Sequence, residues 1–144
     1  MQENDTIRLL RECDAGVQMG IESIDEVLDC VSAPAFKDSL TDKKREHEKL
    51  RSEIRTLLAE NDGESKAPNR MAVGMSWIKT NAKLAWDGSD HTVADLMTDG
   101  CNMGVKSLHR YLNQYRAASP EAKNVANRLA SLEENMAMDI RSYL

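Results

Sequence analysis

Asp14 and His47 stand at places where helical spacing calls for apolar side chains. Along residues 5–31, Ile7, Leu10, Val17, Ile21, Ile24, Leu28 and Val31 recur in steps of three and four with one vacancy, and the vacant place is Asp14. Along 34–60, Phe36, Leu40, Leu50, Ile54 and Leu57 draw a second stripe, interrupted at Lys43 and His47. A carboxylate or an imidazole turned toward a core is costly unless it is hydrogen-bonded, ion-paired or bound to a metal. The pattern therefore points either to a hydrogen-bonded structural network or partial solvent exposure of these side chains, or to a metal site in which carboxylate oxygen and imidazole nitrogen are the ligands.

An internal repeat widens the set. Cys13-Asp-Ala-Gly16-Val17 returns 88 residues later as Cys101-Asn-Met-Gly104-Val105. Superposing the copies on their Gly-Val steps puts Asn102 at the place of Asp14 and His109 at the place of Ile21. Asp14, His47 and His109 are then the candidate metal ligands, with Asn102 beside them. His91, next to the start of a helix, reads as a solvent-exposed side chain. The eight Met residues, among them Met71, Met75, Met136 and Met138, read as adaptable core filler at helical spacing.

These residues need helices to hold them. Ser32-Ala33-Pro34 ends the first helix and starts the second, and so short a connection predicts antiparallel neighbours. Asn61-Asp62-Gly63 closes the second, and the polar stretch 61–69 reads as a loop. A shorter helix over 69–86 carries Val73, Trp77, Ile78, Leu84 and Trp86. Ser89 or Asp90 caps a helix to about Tyr115 with Val93, Leu96, Met97, Cys101, Val105, Leu108 and Leu112 inward. Ser119-Pro120-Glu121 starts the last, with Val125, Leu129, Leu132, Met136, Ile140 and Tyr143 inward. No alternating β-branched run is present, so the expected fold is all-α: an antiparallel four-helix bundle of two pseudo-repeated hairpins, 5–60 and 90–143, joined through a crossover helix. Glycine inside a helix costs about 1 kcal/mol against alanine, so the pairs Gly16/Gly20 and Gly100/Gly104 predict close approach by a neighbouring helix.

Composition sets the bounds. One domain over 1–144 suits the length, and 41% hydrophobic with 30% charged residues is the balance of a folded chain. A net charge of −5 argues against a general nucleic-acid binder, and the run Lys43-Lys44-Arg45 is too short to reverse that. No signal-peptide pattern opens the chain and no stretch approaches eighteen apolar residues, so a cytoplasmic protein without a membrane span is expected. Three cysteines without close pairing read as reduced, buried thiols.

The paired hairpins, the glycine in the first helix of each, the Trp-containing third segment and the tract Lys44-Arg45-Glu46-His47-Glu48-Lys49-Leu50 together resemble the ferritin-like superfamily. Within it the chain is most similar, from about residue 6 to 143, to an uncharacterised bacterial family of such bundles, domain of unknown function 2383. The resemblance implies a ferritin-like bundle, and in metal-binding members two Glu-x-x-His pairs and two further carboxylates hold two iron or manganese ions. Carried over, the first pair reads Lys44-x-x-His47, the last helix offers Asn135-x-x-Met138, the first helix supplies Asp14 or Glu22, and the fourth supplies Asn102 where an acid belongs. The expectation is a binding or assembly module without catalysis, built around a degenerate di-iron centre and holding no cofactor. Its partner would be a protein or small ligand, and a homodimer stays open. The alternative is a divergent iron or manganese oxidase or storage protein centred on Asp14, His47 and His109. A third reading, a structural partner of a membrane or regulatory complex, would expose an apolar patch around Trp77 and Trp86.

Overall fold

The computed structural model describes residues 4–61, 63 and 89–144, all of which fall into helices, their caps and short turns. Among the described residues four long helices carry the fold, α1 (Asp5–Leu28), α2 (Pro34–Glu60), α3 (Asp90–Gln114) and α4 (Pro120–Asp139), with a single 3₁₀ turn at Arg141–Tyr143. No strand occurs among the described residues. No described helix is long and apolar enough to cross a membrane. The helix expected over 69–86, with Trp77 and Trp86, lies outside the described residues.

Three of these four helices start where a side chain supplies a partner for a free N–H group. Asn4 Oδ1 accepts from Ile7 N at 2.9 Å, Ser89 Oγ from Thr92 N at 3.2 Å, and Ser119 Oγ from Ala122 N at 3.2 Å, with Pro120 following. Of the two caps offered by the sequence at the head of α3, Ser89 is the one used. Asp90 is thereby free to reach across to the other hairpin, where its two carboxylate oxygens accept from Ser32 N at 2.7 Å and Ala33 N at 3.0 Å. α2, which starts at Pro34 without a side-chain cap of its own, is thus preceded by a turn that α3 fastens.

The opposite end mirrors this. Asp5 accepts from Ala117 N at 3.0 Å and Thr6 Oγ1 from Ser119 N at 2.8 Å, so the head of α1 fastens the α3–α4 turn. These contacts fix the directions: α1 and α4 run one way, α2 and α3 the other. α1 packs on α2, α2 on α4, α4 on α3 and α3 on α1, which closes a ring of antiparallel neighbours. α1 also touches α4 across the diagonal, and its buried face is the widest of the four.

The apolar stripes face inward as their spacing requires, with Leu10, Val17, Ile24, Phe36, Leu40, Ile54, Leu129 and Ile140 buried. They form two clusters and not one. Leu9, Leu10, Val17, Ile54 and Leu129 belong to the cluster at the end where α1 begins. Ile24, Phe36, Leu40, Met97 and Met136 belong to the other, where Phe36 stacks on Tyr143 with ring centroids 4.3 Å apart. Between the clusters lies the polar layer that contains His47.

Because one carboxylate of Asp90 satisfies two backbone donors of the facing hairpin, Asp90→Ala is expected to lower the unfolding free energy by about 1–2 kcal/mol, read by urea denaturation. A change within experimental error would show that the clamp adds nothing to hairpin docking.

Candidate functional site

The middle of the bundle is assembled from all four helices. α2 contributes His47, which is fully buried, and α4 contributes Glu133, only 7% exposed. His47 Nε2 lies 2.7 Å from Glu133 Oε1, and His47 Nδ1 lies 2.7 Å from the carbonyl oxygen of Lys43, one turn back on the same helix. Both ring nitrogens therefore face acceptors, and the imidazolium, with an N–H on each, is the form that donates to both. α3 adds Cys101, a buried thiol within electrostatic reach of the Glu133 carboxylate. α1 and α3 each supply a glycine against the pair. A Cβ at Gly20 would stand 2.7 Å from Cδ2 and Nε2 of His47 and 3.4 Å from Glu133 Oε1; a Cβ at Gly104 would stand 3.6–3.7 Å from Glu133.

Electrostatics follow from this packing. Burial alone would push the His47 imidazolium down, but the hydrogen bond and charge of Glu133, the Lys43 carbonyl and the nearby Glu46 outweigh it and hold the group above its ordinary value of 6.5. Burial pushes the Cys101 thiol up, reinforced by the Glu133 charge. Burial, with Glu12 and Asp14 nearby, lifts the Cys13 thiol to about 12. Both thiols stay protonated and unreactive at neutral pH, as their reading as small buried hydrophobes requires. Lys43 keeps its stem inside and reaches Asp139 at 3.0 Å and Glu46 at 3.5 Å; these partners overcome the cost of burial and raise its ammonium above the ordinary range.

The structure divides the sequence-derived candidates. His47 is at the centre. Asp14 is fully buried as its place in the stripe implies, and Arg55 Nε, from a guanidinium that stays partly in water, donates to its Oδ1 at 3.2 Å. His109, placed by superposition where buried Ile21 lies, is exposed, and so is Asn102, the counterpart of Asp14. The placing of those two near the middle is therefore corrected. The physical reason is that, among the described residues, α1 contacts all three other helices, whereas α3 packs chiefly on α4 and α1 and has fewer buried positions. Met103 shows the same effect: it is 54% exposed where its counterpart Ala15 is 4% exposed. His91 is exposed, as read from the sequence. Lys44, in the Lys44-x-x-His47 pair, points away from the centre to Asp25 at 2.6 Å.

Among the described residues no group of three or more His, Cys, Asp or Glu side chains is arranged to hold a metal ion. The donors present do not fit the di-metal centre that the resemblance implies: both nitrogens of His47 are committed, the Asp14 carboxylate is held by a guanidinium, and His109 faces outward. Glu133, which completes the central pair, is the residue that sequence reasoning missed. Its signal was its spacing, four after Leu129 and three before Met136, inside the buried stripe of α4. Comparison of the chain with protein-family models, curated proteins and solved structures finds no match in any of the three.

The glycine pattern also resolves unequally. Of the four paired helical glycines Gly20 alone is a required close approach; Gly16 and Gly104 have ordinary contacts, and at Gly100 a Cβ would meet nothing within 4 Å. Gly20→Ala should therefore drive a methyl into the His47 ring and destabilise by about 1–3 kcal/mol. Gly100→Ala should stabilise by up to about 1 kcal/mol through helix propensity. Urea denaturation of the two variants checks both signs, and two stabilised variants would show that the pair is not tightly packed.

For His47 the linkage sign is fixed by the raised folded value. Its contribution to stability is fully present below about 6.5 and is lost as pH rises through the folded value. The ring-proton NMR titration of His47 is expected to have its midpoint above 6.5, with Glu133→Gln bringing it down. A wild-type midpoint below 6.5 would mean that desolvation wins over the carboxylate.

Proposed function

We propose that this chain is a ferritin-like bundle that works without catalysis, as a binding or assembly module built on a centre converted from metal ligation to internal hydrogen bonding. The ring of antiparallel neighbours, with α2 and α3 running in the same direction, supports the ferritin-like reading, as does the repeat of the two hairpins. The observation that carries the functional reading is the commitment of both His47 nitrogens, one to Glu133 and one to the Lys43 carbonyl. A metal ligated by imidazole needs one deprotonated ring nitrogen with its lone pair free. Here releasing it would strip a hydrogen bond from a carboxylate that has little other access to water. The Lys43 ammonium is itself held by Asp139 on α4 and Glu46 on α2.

The test is elemental analysis of protein prepared anaerobically with added iron or manganese, alongside His47→Ala. Well under one equivalent of metal in the wild type, unchanged by the substitution, is the expected result. About two ions per chain, lost on substitution and accompanied by oxidase activity, would establish the oxidase or storage alternative in its place.

A further inference from the structure

The two apolar clusters are separated by the layer of Gly20, His47, Gly104 and Glu133, and they are not equally secured. The cluster around Leu9, Val17, Ile54 and Leu129 is closed at its end by Asp5 on Ala117 N and by the buried Thr6 hydroxyl on Ser119 N. Its one buried carboxylate oxygen without a hydrogen bond, Glu53 Oε2, has Arg128 at 2.8 Å as its ion-pair partner.

The other cluster is the smaller among the described residues, and two of its fillers, Met97 and Met136, are unbranched and adaptable. Thr98 Oγ1, next to Met97, and Glu22 Oε2, midway between Gly20 of the layer and Ile24, are buried without a hydrogen-bond partner. Each such atom gives up its hydration in the folded state with nothing returned, and regains it as soon as the helices part. The clamps at the two ends are alike, one exposed and one part-buried bond at each, so the difference lies in the packing and in these unpartnered atoms.

We infer that the bundle opens from one end: the half around Ile24, Phe36, Met97 and Met136 parts while the half around Leu9, Val17, Ile54 and Leu129 stays packed. The layer at His47 is the boundary, since helices can separate up to it without disturbing the apolar contacts beyond it. This asymmetry belongs to the chain itself and needs no metal, ligand or partner.

The protein carries its own reporters. Cys101 is buried in the opening half, Cys13 in the other, and Cys30 is exposed. Native wild-type protein is treated with iodoacetamide over a series of low urea concentrations, and modification at each cysteine is followed by peptide mass spectrometry, each rate divided by that of the unfolded chain. Cys30 should react at once, and Cys101 faster than Cys13 by about tenfold or more, with a shallower urea dependence. Equal rates and equal urea dependence at Cys13 and Cys101, or a faster Cys13, would overturn the inference. Amide exchange on the same protein reads the backbone directly: Ile24, Val27 and Met97 should exchange faster than Leu9, Leu10 and Ile54, and equal protection at the two sets would overturn it as well.

Discussion

The bond between His47 and Glu133 is the constraint around which the rest of the bundle is arranged. Taking either charge out of water alone costs several kcal/mol, and removing one partner leaves the other stranded. The pair is tolerable because its partners are at hand: Glu133 faces one ring nitrogen, the Lys43 carbonyl takes the other imidazole N–H, and Gly20 lets α1 come close against the ring. Gly20 shows how tight this is, because even a methyl there would collide with the imidazole. An apolar pair of similar volume could have filled the same space. What a polar pair adds is register: α2 and α4 slid by one turn would separate two charges, whereas two leucines would find new partners.

Asp14 offers the contrasting way to bury a carboxylate. It is paired with Arg55, whose guanidinium remains in contact with water, so one member of the pair keeps much of its solvation and the connection is screened. His47 and Glu133 have no such outlet. The two polar interruptions in the stripes therefore differ in kind: Asp14 is an anchor for a surface arginine, and His47 is a core residue. Their separate partners are why the two do not make one site, although the sequence pattern groups them.

Much of this was legible from residue spacing. Helix starts follow from Pro34, Ser89, and Ser119 with Pro120, and the inward faces follow from steps of three and four, because both are local and periodic. The places of Asp14 and His47 within the inward stripes follow for the same reason. The choice of partner did not, since Glu133 lies 86 residues from His47 and Arg55 lies 41 from Asp14, and no local rule joins them. The repeat misled in one respect. Matching letters carried His109 and Asn102 inward, but burial depends on how many neighbours surround a helix, and among the described residues α3 has fewer than α1. Helical glycines misled similarly, since spacing alone cannot tell Gly20, which is indispensable to the pair, from Gly100, which faces open space.

The repeat nevertheless survives where it bears on assembly. At each end of the bundle an acid at the head of one hairpin's first helix fastens the turn of the other hairpin, Asp90 on Ser32 and Ala33, Asp5 on Ala117. These residues are not at matching places in the repeated sequence, since an offset of 88 carries Asp5 to Val93 and not to Asp90. The symmetry is therefore one of function, imposed by geometry: wherever two antiparallel hairpins dock head to turn, the exposed N–H groups of each turn need an acceptor, and the nearest helix start is where one can be supplied. Docking in this way fixes the level at which α1 and α3 meet. That level in turn brings Gly20, Gly104 and Cys101 to the height of the His47–Glu133 pair, so the clamps at the two ends determine whether the middle can close.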